Sequence, residues 1–196
     1  CETPLNVPQL DTEISGGGDL TAEVNTEELR CHMSGGGDAS LIGTAGKIDI
    51  DMSGGGDLKT LVDVNHVSCN LSGGGDLTLK SNTEIRYAGI ELSGGGDLDA
   101  AMNADQVKFT LSGGGDAHLN GKASVMEINI TGGGDVSADG FVSGIARIQA
   151  NGGSDVHVKV SEELTGQITG GGDIYYSGNP DKVSIDTRGG SEIHKQ

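Results

Sequence analysis

Tryptophan is absent from this 196-residue chain, and the only other large rings are two Phe and three Tyr. So few rings argue against an aromatic ligand box or a base-stacking platform. Basic residues are scarce as well: 12 Lys and Arg face 29 Asp and Glu, a formal net charge of −17. A nucleic-acid partner would need a basic stripe, and so would docking on anionic lipid. No apolar run approaches the ~18 residues that a membrane-spanning helix requires. Cysteine occurs three times, too sparsely for a disulfide framework. Helical periodicity of useful length is also missing. Thr26-Glu-Glu-Leu29 and Ser161-Glu-Glu-Leu164 carry cap signals but are short enough for no more than a turn.

Glycine is abundant, 36 residues in all. Its spacing excludes both disorder and collagen. Most of it lies in one motif, Ser/Thr-Gly-Gly-Gly-Asp, ending at Asp19, Asp38, Asp57, Asp76, Asp97, Asp116, Asp135 and Asp173. The variant Asn151-Gly-Gly-Ser-Asp155 fills the one gap, and Arg188-Gly-Gly-Ser-Glu192 closes the series. Successive corners are 18 to 21 residues apart, most often 19. A fixed period near 20 is the mark of a solenoid, in which each unit stacks on its neighbours.

Apolar and polar residues alternate on both sides of the motif, as in Ile48-Asp-Ile50-Asp-Met52 before it and Leu77-Thr-Leu79 after it. Period 2 means strand with one face inward. The reading is an all-β, single-stranded parallel β-helix of about ten coils. Each coil has a strand, a glycine corner, a second strand and a variable return segment, the last carrying Val24, Val62, Met102 or Val160 in some units and Gly43, Gly121, Gly140 or Gly178 in others. Residues 1–14 form a lead-in, 15–192 the repeat unit and 193–196 a tail. Stacking at ~4.8 Å would make corner side chains collide. The three glycines are therefore expected to supply positive φ or relieve crowding. A phosphate cradle is a poorer account, since no Lys follows the glycines and no helix starts behind them.

The Ser-Gly-Gly-Gly-Asp-Leu repeat after an alternating strand resembles the putative auto-transporter adhesin family, also called the head GIN domain family, whose members carry Ser-Gly-Ser-Gly-Asp repeats. The resemblance covers residues ~10 to 192. It implies a right-handed parallel β-helix exported to the bacterial envelope or outer surface, often with a lipoprotein-type signal, and brings no catalytic residues. One departure stands out. Family members begin with a longer β-rich segment, whereas only residues 1–14 precede the first corner here, so the N-terminal cap is expected to be missing or replaced.

Candidate chemistry starts with the aspartates. Asp19, Asp38, Asp57, Asp76, Asp97, Asp116, Asp135, Asp155 and Asp173 occupy equivalent corners, a column of carboxylates that could hold Ca²⁺. The favoured reading is that each Asp caps N–H groups of its own turn, so no cofactor is expected. A glycan-cleaving site would call for acids that break the repeat. Instead, the residues two after each Asp are Thr21, Ser40, Lys59, Thr78, Asp99, His118, Ser137, His157 and Tyr175, with no acid pair. That mixture also lacks the flat Thr ladder of an ice-binding face. His118 and His157 share the column two coils apart, too far for one metal ion. All five histidines, His32, His66, His118, His157 and His194, read as scattered and solvated. Cys31 and Cys69 fall on one inward column with Ile50, Ile90 and Ile128, two coils apart, and are expected to be buried and unbridged. Asn70 and Asn129 match the glycosylation pattern inside strands, by chance. Cys1 resembles the acylated N-terminal Cys of a mature lipoprotein and is the candidate lipid anchor; its alternative is a mere chain boundary.

These readings converge on a non-catalytic structural or adhesive protein of the bacterial cell surface. The expected partner is a surface ligand, glycan or protein, with no nucleic acid and no transmembrane segment. Three alternatives follow from the same residues: a carbohydrate-active β-helix enzyme, a fibre module that self-associates through coil ends, and a Ca²⁺-binding solenoid.

Overall fold

A computed structural model describes residues 4–196. Among these described residues, thirteen strands form one sheet in which every pairing is parallel. The chain enters through β1 (Leu5–Asn6) and β2 (Gln9–Ile14), both paired with β3 (Leu20–Met33). The stack continues through β4 (Ala39–Met52), β5 (Leu58–Leu71), β6 (Leu77–Leu92), β7 (Leu98–Leu111), β8 (Ala117–Gly132), β9 (Val136–Gly152) and β10 (Val156–Gly170). The last coil divides into β11 (Ile174–Ser177) and β12 (Lys182–Gly189), both on β10, and β13 (Ile193–Lys195) pairs with β11. The protein is a β-solenoid of about ten turns, one glycine corner to each turn.

In β3 through β10, one bent strand of 14 to 17 residues runs from one glycine corner to the next. The return segment is thus strand as well, paired except at the register shifts. Gly43 and Gly121 adopt φ of +135° and +127° opposite Val24 and Met102, and an added Cβ would lie 1.9 and 1.8 Å from those carbonyl oxygens. The return glycines therefore let the bend close where the neighbouring coil presents its backbone.

No α-helix or helical turn occurs among the described residues, and both cap-like segments lie within strands. Leu29 and Leu164 are fully buried, and Thr26 Oγ1 donates to the carbonyls of Pro8 and Glu28. Lateral strand pairing satisfies the backbone more completely than one isolated turn could, so the local cap signal is overridden.

Every second side chain points into a single core. Cys31, Ile50, Cys69, Ile90, Phe109, Ile128 and Ile148 form one inward column, in register coil by coil. Each large apolar side chain so buried contributes about 1.5–3 kcal/mol. Volume is balanced within a turn: the one holding buried Phe109 also has Ala100 and Ala104 inside, and the one holding Phe141 has Ala138, Ala146 and Ala150. Register shifts fall where corner spacing departs from 19 residues, as between Lys80 and Glu84. The extra residues are absorbed on the return side, so the corners stay aligned.

Candidate binding face

The glycine corners are held by neighbouring turns. The Gly36 and Gly37 N–H groups both donate to the Gly16 carbonyl, at 3.1 and 3.0 Å, and the pattern recurs up the stack. Each Asp accepts in the same sense: the N–H of Asp38 donates to Oδ1 of Asp19, that of Asp57 to Asp38, and so on to Glu192, whose N–H donates to Asp173. Going the other way, the Leu20 N–H donates to the Asp38 carbonyl. The expectation that each Asp caps its own turn is corrected: it caps the following one. A short side chain placed directly after the glycines sits one coil spacing from the next Asp N–H. The ladder thereby clamps successive corners into register.

Crowding explains two of the three glycines. From the second corner on, a Cβ on the first or third glycine would lie 1.9 to 2.6 Å from a backbone carbonyl oxygen of the preceding turn, for example 1.9 Å at Gly54, 2.0 Å at Gly56 and 2.1 Å at Gly115, whereas Gly16 and Gly18 of the first corner meet nothing within 4 Å. At the middle glycine nothing lies within 4 Å, from Gly17 through Gly171. Among the corner glycines, positive φ is confined to Gly132, Gly152, Gly170 and Gly189, the first glycines of the last four corners; the six earlier corners have none. The expected left-handed turn therefore gives way to close approach of backbones as the main cause.

Beside the ladder runs a groove. Its other wall is the column two residues on, and its floor includes Leu77, Leu98 and Ala117. A hollow of about 410 Å³ lies along Asp76, Asp97, Asp116 and Asp135, facing Asp99 and His118. A smaller one of about 240 Å³ lies along Asp19, Asp38 and Asp57 and includes Lys59. The ladder aspartates are thus brought together in space as the repeat predicts. At Asp97, Asp116 and Asp135 the second carboxylate oxygen takes no protein hydrogen bond among the described residues. Nor, among those residues, are three His, Cys, Asp or Glu side chains gathered in a metal-holding cluster.

The groove wall ends in a stack of rings. His157 and Tyr175 lie 4.6 Å apart with planes 12° from parallel; Tyr175 and His194 lie 4.9 Å apart at 19°. Partial burial in this stack, then the Asp173 and Asp155 carboxylates, hold the Tyr175 phenol above its ordinary value. His194 Nε2 lies 3.6 Å from both Asp173 and Glu192. The expectation of scattered histidines fails for His157 and His194. His194 was legible in principle, since it follows Glu192 by the same two residues that separate Tyr175 from Asp173.

His118 and His157 are separated by Ser137 in the column, two pairings apart. Cys31 and Cys69 are buried and free. Burial raises both thiols, and the Asp49 and Asp51 carboxylates add to the rise at Cys69. Asn70 and Asn129 lie within β5 and β8. Cys1 lies outside the described residues. No helix of the described residues is long and apolar enough to cross a membrane.

No curated protein matches the chain. The family model described as putative auto-transporter adhesin, head GIN domain, matches residues 1–88 and, in a second overlapping placement, residues 65–180. Two placements of one model along a single stack suit a fold made of equivalent turns. Together they span the corners from Asp19 to Asp173, and the chain belongs to the putative auto-transporter adhesin, head GIN domain family.

Proposed function

We propose that the protein is a non-catalytic binding module of the bacterial cell envelope or outer surface, a stiff acidic rod that presents its ladder groove to ligands on other surfaces. Family membership supports a surface, non-catalytic role. The observation that carries the reading further is the shared construction of the groove: one wall repeats at every turn while the other varies. The clamped Asp ladder provides rigidity, and the variable column, from Thr21 to His194, provides chemical identity along the rod. A lipid anchor on Cys1 forms part of this proposal.

Adhesion of chain-coated beads to cell and glycan surfaces tests this reading, with product analysis of the same glycans after long incubation. Retention without cleavage is expected. Beads that bind no better than beads coated with an unrelated β-solenoid, or cleavage of any glycan, would overturn it.

A further inference from the structure

The longest corner-to-corner step, 21 residues from Asp76 to Asp97, contains a local break in the surface pattern. One outward column runs Asp49, Ser68, Gly89, Lys108, Glu127 and Arg147. Only Gly89 in that run lacks a side chain. The ring of Tyr87 fills the space: a Cβ at Gly89 would lie 3.0 Å from Tyr87 Cε1, 3.2 Å from Oη and 3.4 Å from Cζ. The ring thus lies across the Gly89 backbone and is still 41% exposed. Around it is a hollow of about 350 Å³, whose lining includes Asp51, Asn70, Glu91, Lys108 and Thr110. It lies on a different face of the turn from the ladder groove.

We propose that this hollow binds one neutral pyranose ring of a glycan. A pyranose has a flat patch of C–H groups and a rim of hydroxyls. Recognition therefore needs an apolar plate bordered by donors and acceptors. Tyr87 supplies the plate, pressed against bare backbone so that little freedom is lost on binding. Glu91 and Asp51 supply ionised acceptors, Lys108 an ionised donor, and Asn70 and Thr110 both donors and acceptors. The volume sits at the small end of ligand sites, ~300–1,000 Å³, which suits a single sugar residue. One ring is enough for one residue, so the shortage of aromatics excludes a box and leaves a single plate. A cationic ligand would also favour a ring beside carboxylates, but the Lys108 ammonium shares the hollow and opposes it. Acidic sugars meet a chain of net charge −17.

The proposal rests on the binding-module reading only in that the rod carries a ligand face. Its test is saturation-transfer NMR and calorimetric titration of the full chain with methyl pyranosides. The neutral hexoses and N-acetylhexosamines are compared with uronates and with tetramethylammonium. Transfer to a neutral pyranoside is expected, with binding about tenfold or more weaker in Tyr87→Ala. Gly89→Ala should weaken it too, because the new methyl lifts the ring without removing it. Tyr87→Phe should keep most of the affinity. Melting curves confirm that each variant is folded. The proposal is overturned by transfer to no neutral pyranoside, by binding confined to uronates or to the cation, or by binding that Tyr87→Ala leaves intact. If the unsubstituted chain takes up no pyranoside while beads coated with it still adhere, this site alone fails and the adhesive reading stands.

Discussion

The N–H of Asp116 donates to Oδ1 of Asp97 at 2.8 Å across nineteen residues of sequence. Asp97 in turn donates its own N–H to Asp76 at 2.9 Å. Each ladder residue from Asp38 to Asp173 is both donor and acceptor, so a substitution tests the acceptor alone if the backbone is kept. Asp97→Asn retains an oxygen at the same distance, whereas Asp97→Ala leaves the Asp116 N–H to solvent. Urea titration should show Asp97→Ala less stable by about 1 kcal/mol, in the usual range for a lost hydrogen bond. Asp97→Asn should lose less than half of that. Equal losses would show that charge, not the bond, is what the ladder contributes.

The glycines of one corner should separate cleanly. A methyl carbon added at Gly94 or Gly96 would lie 1.9 or 2.1 Å from the carbonyl oxygen of Gly73 or Gly75, whereas one at Gly95 would meet nothing within 4 Å. Gly94→Ala and Gly96→Ala would force two turns apart and should cost several kcal/mol, about the scale of overpacking or worse. Gly95→Ala should be neutral or stabilising by up to about 1 kcal/mol, since it restricts the unfolded chain. Thermal or urea denaturation of the three variants checks the order. A costly Gly95→Ala would mean that the middle glycine serves the backbone after all.

The buried thiols set an alkaline limit. Burial raises Cys31 and Cys69 above the ordinary thiol value. A group raised in the folded state contributes its stability below the unfolded value, about 8.5, and loses it as pH climbs toward the folded value. Stability should therefore fall above about pH 8.5, and Cys69→Val should flatten that limb. Denaturation between pH 7 and 10.5 reads the slope. In the native state at pH 8, neither of these two thiols should react with a disulfide reagent until the chain unfolds. Prompt modification of either would contradict the inward placement of the column.

Much of this molecule is written along one dimension. The period near 19 determines that Asp19 through Asp173 share one edge, and the alternation on either side determines that Cys31 and Cys69 face inward on one column. The same spacing, carried one unit further, places His194 beside Tyr175. Such features depend only on counting residues, because a stacked strand repeats its position at every turn. Other features exist only once the turns are stacked. Nothing in Ser-Gly-Gly-Gly-Asp tells that the carboxylate takes its N–H from the following turn, or that the middle glycine is free while its neighbours are not. Both depend on which atoms of an adjacent turn come within a few ångströms. Tyr87 lying across Gly89 is of the same kind: in sequence they are residues two apart in an ordinary outward alternation. The plate forms because the strand sets both on one face and the glycine leaves that face open.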